Sequence, residues 1–534
     1  MSQTNLRPDL RDHLHRRLQA FAEGFRQNLA LIGPAGSGKT FQLHPLISQS
    51  ATHPMVIYCP LFKESCRFFL SRFLKAVLQA GLGNVSSGFN EESLEELIQR
   101  ADPVLPKTVA AVRAVNEGLM RKLSIEAFNR TLDVIPILVR ERGQPCILIL
   151  DEFLYLEDLG IAHAFHELGK RVMTWPSTLF ILTSSSVFRS RAILREKLHL
   201  LFGQFEILTL NTLDESCAVS WMREQLSGVP GVEAWSAFLF RWLGAFPWYL
   251  TAFVKRLNEL ALLSVEARTP SESLLFQTAW DLLGAPDGYL NQWCRVRTAM
   301  FEYGHQGARS MELWVHIAMG ARTTTELGTR VGRAGLTRVL QWLIENDLVQ
   351  RKGTCLVIPD PILRCWAYTV LYSQRQGGIQ DDRQFRVRLE QYLSGLWTQW
   401  LHNSRRSFSE HVVQLLANFR DDTVSLDSKT GRLPKFHTIR MKRPHLAEAE
   451  ETYLVAEAVD KHWCASVQEG PVDENAIMRF EAFCRTQSPR PSRKIVIAKS
   501  GLDPNAKLLA KNANIWVWES EDLHTLVELY GQPY

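Results

Sequence analysis

The stretch that most constrains the fold is NLALIGPAGSGKT, Asn28 to Thr40, an apolar run that ends in a glycine-rich turn followed by a lysine and a threonine. Gly33, Gly38, Lys39 and Thr40 fit G-x-x-x-x-G-K-[ST] in full, and Gly36 adds a further glycine inside the loop. Such a loop follows a buried strand and opens a helix, whose first N–H groups face an anion. Glycine is needed because a Cβ would block the inward turn of the backbone amides. The pattern predicts a parallel α/β sheet, with Gly33, Pro34, Ala35, Gly36, Ser37 and Gly38 wrapped around the phosphates of a nucleotide. Lys39 would reach the β- and γ-phosphates and Thr40 would hold Mg²⁺.

The first ~250 residues alternate strand-like and helix-like segments, as such a sheet demands. Strands are expected at Asn28 to Gly33, Pro54 to Cys59, Cys146 to Asp151, Thr178 to Ser185 and Phe205 to Leu210, and a helix over Arg67 to Gly81. The run CILILDEF places Asp151 and Glu152 at the C-terminal end of a buried strand, where the ligands of a parallel sheet gather. Asp151 is the expected second partner of Mg²⁺, and Glu152 is placed to polarise a water for attack on the γ-phosphate. TLFILTSSS ends in the hydroxyls of Thr183, Ser184 and Ser185. One of them, with Ser184 the choice, is expected on the γ-phosphate or its water. Among Arg189, Arg191 and Arg195 the choice for neutralising transition-state charge is Arg189.

At 534 residues the chain is too long for one core. Residues 1–212 read as the nucleotide-binding sheet, 213–298 as a helical cover, 299–373 as a small helix-turn-helix with a wing, and 385–534 as a further α/β domain after a polar linker. The 46% hydrophobic and 22% charged content is that of a folded protein. The longest apolar runs are strand-length, and the polar N-terminus lacks an apolar signal core, so a cytoplasmic protein without a membrane span is expected. Nine scattered cysteines without C-x-x-C spacing read as buried thiols. The net charge of +5 is mild, but residues 429–443 and 485–494 are basic, which leaves two readings of equal weight: a nucleic-acid surface or a solvated face.

NLALIGPAGSGKT, CILILDEF, LFILTSSSVFRSRAIL with LFGQFEILTLNTL, and GAFPWYL occur in the order seen in the archaeal-type ATPases. Over roughly residues 15 to 260 the chain resembles this branch of the STAND and AAA+-like P-loop NTPases. The resemblance implies that ATP and Mg²⁺ are bound, that Pro247 lies near the nucleotide, and that a winged helix and a restriction-nuclease-like domain follow. LTRVLQWLIENDLVQRKGTCLVIPDPILRCWAY resembles the winged helix, with Arg338 and Gln341 as polar candidates for DNA and Leu336, Val339, Leu340 and Leu343 facing the core.

For nuclease chemistry Glu410 fits the helix position. KFHTIRMKR, however, has bases where an acid is wanted, and TYLVAEAVDKHW, read as one strand, has Glu457 but Val459 in the lysine's place, with Lys461 displaced. A nuclease-like domain that no longer cuts is the expectation. The leading reading is an ATP-hydrolysing switch that couples nucleotide state to DNA or a partner protein. An ATP-regulated nuclease in defence against foreign DNA and a non-hydrolysing ATP-bound scaffold are the alternatives, and self-assembly stays open.

Overall fold

Five strands, β1 (Asn28–Ile32), β2 (Met55–Pro60), β3 (Cys146–Asp151), β4 (Thr178–Ser184) and β5 (Phe205–Thr209), form one sheet in the order β2-β3-β4-β1-β5. Every pairing in it is parallel, as the strand and helix alternation predicts. All residues of β1, β3 and β4 are buried, the condition of central strands covered on both faces. Successive side chains point to opposite faces and so enter two separate cores. Ile32, Leu148, Leu150, Phe180 and Leu182 pack with Phe69, Phe73 and Val77 of α3 (Cys66–Gly81). Leu31, Ile147, Ile149 and Ile181 pack on the other face with Leu14 and Phe21 of α1 (Pro8–Ala22) and Leu43 of α2 (Lys39–Ser48). At about 1.5–3 kcal/mol for each large apolar side chain buried, the two layers hold the strand ends in fixed positions. Two further helices begin near those ends, α4 (Val187–Glu196) and α5 (Pro247–Leu263).

This computed structural model describes residues 7–48, 54–83, 92–121, 125–196, 205–210, 213–227, 229, 231–263, 272–303, 307–371, 382–426, 429–442 and 451–531. The chain divides into two compact units. The first comprises Met1–Leu226, Ala245–Val254 and Glu345–Asp347, and the second Ser227–Gly244, Lys255–Ile344 and Leu348–Tyr534.

In the second unit the described segments as far as Thr298 are helical. Then come α6 (Gly307–Ala318), α7 (Thr324–Val331) and α8 (Leu336–Glu345), followed by a hairpin of β6 (Gln350–Lys352) and β7 (Cys355–Val357). Thr323 caps α7 reciprocally with Glu326, which fixes where that helix starts. Most of the polar linker expected over 374–384 lies outside the described residues.

The last part opens with α9 (Phe408–Ala417) and the hairpin β8 (Asp422–Ser425) and β9 (Thr430–Leu433). A mixed sheet of β10 (Thr438–Lys442), β11 (Thr452–Glu457), β12 (His462–Gln468), β13 (Arg493–Ala498) and β14 (Ile515–Trp518) follows in simple sequence order. The β10, β11 and β12 pairings are antiparallel, and those of β12, β13 and β14 are parallel. Helices α10 (Glu474–Thr486) and α11 (Pro504–Asn512) make the two parallel crossovers, and α12 (Ser520–Tyr530) closes the chain.

The expectation that TYLVAEAVDKHW forms one strand is corrected. Glu457 pairs with His462 across an antiparallel turn in which Ala458 N donates to Lys461 O (2.8 Å). Val459, which continues the apolar run in sequence, is 94% exposed at the tip, and Asp460 beside it is a turn-forming residue. All nine cysteines are free and all but Cys217 are buried; burial pushes the Cys59, Cys146 and Cys365 thiols up to about 12. Among the described residues no helix is long and apolar enough to cross a membrane.

Candidate nucleotide site

β1 ends at Ile32, and the chain loops over six residues before α2 begins at Lys39. Gly36 (φ +79°) and Gly38 (φ +92°) take the left-handed conformation that turns the loop. Trp248 N donates to Gly36 O (3.3 Å), and a Cβ added at Gly36 would lie 3.3 Å from the Trp248 ring. Pro247 Cγ stands 3.8 Å from the Cβ position of Gly38. The start of α5, with Pro247 and Trp248, therefore covers the loop.

Lys39 is 5% exposed and donates to Gly33 O (2.8 Å), Pro34 O (3.2 Å) and Ser185 Oγ (2.9 Å). Burial draws its ammonium below the ordinary lysine value, while the charges of Glu152 and Asp151 work the other way. Asp151 Oδ2 accepts Thr40 Oγ1 (3.1 Å) and Tyr58 Oη (2.8 Å), and its Oδ1 accepts Thr183 Oγ1. The Tyr58 phenol is driven well above its usual range, first by burial and then by Asp151.

Glu152 adopts φ +57°, a left-handed backbone that costs a non-glycine residue about 1–2 kcal/mol. Its N–H donates to Thr183 Oγ1 (3.1 Å), and its carboxylate accepts Ser185 N (2.8 Å) and Ser185 Oγ. Strain of this kind persists only where the surroundings over-determine it, and here both hydroxyls of the β4 end do so.

The strand order explains these contacts. β4 lies between β1 and β3, so its end stands between Lys39 and the two acids. Thr183 and Ser185 are two residues apart and share a face. Ser184 points elsewhere: its hydroxyl accepts Ser186 N (3.1 Å) and donates to Ser186 O (3.4 Å). The geometry thus brings together Lys39, Thr40, Asp151 and Glu152, with Ser185 and not Ser184 as the hydroxyl that joins them. Arg189 donates to Glu157 Oε2 (2.6 Å), a half-exposed pair. Two participants leave no signal in the sequence. Tyr58 looks like a core residue, and Asp347, within the same unit, accepts Ser186 Oγ (2.6 Å) and Phe188 N (3.1 Å) at the start of α4.

The residues fit a nucleoside triphosphate with Mg²⁺. Ser37 Oγ is buried with no hydrogen-bond partner among the described residues, which leaves a polar group for an anion in the loop. Thr40 and Asp151 are the hard oxygen donors that Mg²⁺ takes.

In the second unit, Arg338 and Gln341 are exposed on α8 while Leu336, Val339, Leu340 and Leu343 are buried, as the spacing predicts. Glu410 is bound to Ser407 N (2.8 Å) in a capping box at the start of its own helix. Glu457 stands 3.9 Å from Arg440, and the buried acid of β11's other end, Glu451, is held by Arg479 and Tyr453 Oη (3.0 Å). Among the described residues no three His, Cys, Asp or Glu side chains form a metal-holding group.

No family model matches the chain, and no curated protein does. Solved structures similar to it include a Walker-type ATPase of Pyrococcus abyssi, with 17% identity over 68% of this chain and 95% of that one and a TM-score of 0.42. The Aeropyrum pernix ORC2 protein has 14% identity over 74% and 95% of the two chains, with a TM-score of 0.43. The Thermotoga maritima RuvB Holliday junction branch migration motor has 15% identity over 70% and 99%, with a TM-score of 0.32. Likeness at these scores carries no functional weight, and the chemistry of the site rests on this chain's own side chains.

Proposed function

We propose that the chain is a Mg²⁺-dependent ATPase whose nucleotide state sets its grip on DNA. The observation that carries the ATPase part of this reading is the bridge Lys39–Ser185–Glu152 beside the pair Thr40–Asp151; the DNA part is supported by the exposed Arg338 and Gln341 and the basic segments of the second unit. The glycine loop and Lys39 bind the phosphates, Lys39 exchanging neutral carbonyl partners for charged oxygens, which is the stronger hydrogen bond. Thr40 and Asp151 hold Mg²⁺. The ion, when bound, offsets charge on the phosphate oxygens. Glu152 takes the proton of the attacking water. Ser185 hydrogen-bonds one lone pair on each Glu152 carboxylate oxygen, which orients the carboxylate and leaves further lone pairs to take the water's proton. The choice of ATP among nucleotides comes from the family resemblance.

In this reading residues 1–212 hydrolyse the nucleotide and 213–298 cover it. Residues 299–373 form a winged helix offering Arg338 and Gln341 to DNA, and 385–534 a nuclease-like domain that holds DNA and does not cut it. That last point is supported by Glu410 being spent on a cap, Glu451 on an arginine, and Val459 and Lys461 lying in a turn.

The test is phosphate release with purified protein. Lys39→Ala should lose tight ATP binding, and Glu152→Gln should bind ATP while turnover falls about a hundredfold or more, the scale of a lost general base. Wild-type turnover in both variants would sink the assignment.

A further inference from the structure

The basic segments 429–443 and 485–494 are separated in sequence by 41 residues, yet the register of the C-terminal sheet brings Lys435 of the first and Arg490 and Arg493 of the second to one of its ends. His437 N, just before β10, donates to Glu457 O (3.0 Å) at the end of β11. The β11–β12 turn carries Lys461 at that same end. Ser492 N, just before β13, donates to His462 O (2.7 Å) at the start of β12, and Arg493 pairs with Trp463. Lys435, Lys461 and Arg490 are exposed there and enter no ion pair among the described residues. The acids at this end include Glu457, 3.9 Å from Arg440, and Asp460, which acts with Asp421 on Arg432. Arg443 lies outside the described residues.

Arg493 is built differently from its neighbours. Its guanidinium carbon lies 5.6 Å from the Trp463 ring centre and 4.9 Å from that of Trp516, two indoles only 3% and 4% exposed, while Arg493 itself is exposed. Gly431 on β9 backs the arrangement, since a Cβ there would stand 2.5 Å from Trp516 and 3.1 Å from Arg493 Nη1. A planar guanidinium resting against two indoles that pack edge to face has its donor fork restricted in orientation, so less side-chain freedom remains to be lost when an oxyanion docks.

We infer that this end of the C-terminal sheet is a phosphodiester-backbone surface for duplex DNA, with Arg493 as its fixed anchor and Lys435, Lys461 and Arg490 as its flanking contacts. The inference rests on the proposed DNA-binding function and assigns it a place. Charge complementarity selects the occupant. The cations spread over adjacent strands about 4.8 Å apart, a row on the order of 15 Å that suits several phosphates of one backbone and exceeds a single phosphate. The rings are buried, so they offer no stacking platform for bases, and binding is independent of sequence.

The experiment is anisotropy of a labelled mixed-sequence duplex with the full chain over a range of salt. Replacing Lys435, Lys461 and Arg490 together by Ala should weaken binding about tenfold or more and flatten the salt dependence by roughly 0.9 for each phosphate no longer neutralised. Arg493→Lys, which keeps the charge and removes the fork, should weaken binding with little change in that slope. Melting midpoint and DNA-free ATP turnover should stay at wild-type values in the triple variant. If that variant binds duplex with wild-type affinity and slope, the surface is wrongly placed although the chain still binds DNA. If the wild-type chain ignores duplex and instead takes a polyglutamate probe, the partner itself is wrong and the DNA reading falls with it.

Discussion

At the scale of single residues, the hydroxyls at the end of β4 carry the sharpest consequence. Ser185 bonds Lys39 and both oxygens of Glu152, whereas among the described residues the Ser184 hydroxyl bonds Ser186. Ser185→Ala should therefore lower ATP turnover about a hundredfold, the scale for one positioned donor, while leaving nucleotide affinity near wild type. Ser184→Ala should do little. Single-turnover hydrolysis with separately measured ATP affinity checks both, and equal effects of the two substitutions would contradict the geometry. The phosphate loop, Asp151 and Glu152 were legible in the sequence because each type of residue follows from its chemistry: glycine for a left-handed turn, lysine for phosphate, acid at a buried strand end. The choice among three successive hydroxyls was not legible. Strand alternation says that Thr183 and Ser185 share a face but not which face meets the acids.

Secondary-structure elements follow the same division. Strands β1 to β5 and helix α3 lie where apolar runs and helical spacing place them, and in β1, β3 and β4, buried on both faces, the apolar signature is continuous. The hairpin β8–β9 and the break between β11 and β12 left none. β8 and β9 are half-exposed and polar, and Val459 imitates a core residue at a turn tip. Glu410 illustrates how an element can absorb a residue that chemistry would claim. Its carboxylate caps α9, and hydrogen bonds from Ser407 hold its pKa below the ordinary glutamate value of 4.5. An acid with a depressed folded pKa contributes stability above its unfolded value and loses it as pH falls through the folded one. Glu410→Gln should accordingly melt below wild type at neutral pH, and the gap should close in acid. Melting midpoints across that range decide it; a pH-independent gap would mean that the charge plays no part in the cap.

For the whole molecule, coupling between nucleotide and DNA is a thermodynamic claim with a built-in check. If ATP alters DNA affinity by some factor, DNA must alter ATP affinity by the same factor. In Glu152→Gln, where turnover is removed, both factors are measurable at equilibrium, and we expect them to agree and to exceed about fivefold, the lower end of typical coupling. A factor of one in both directions would leave an ATPase that merely resides on DNA. The sequence by itself determined the chemistry of each participant: a loop that binds phosphate, an acidic strand end, a helix with a polar outer face, and two basic segments. These depend on local pattern, which is written along the chain. Only the tertiary structure decided the neighbours. Strand order placed β4 between β1 and β3 and so made Ser185 the link between Lys39 and Glu152, and the register of the second sheet gathered distant cations around Arg493. Strand order and register are set by side-chain packing between segments remote in sequence, and no local pattern records them.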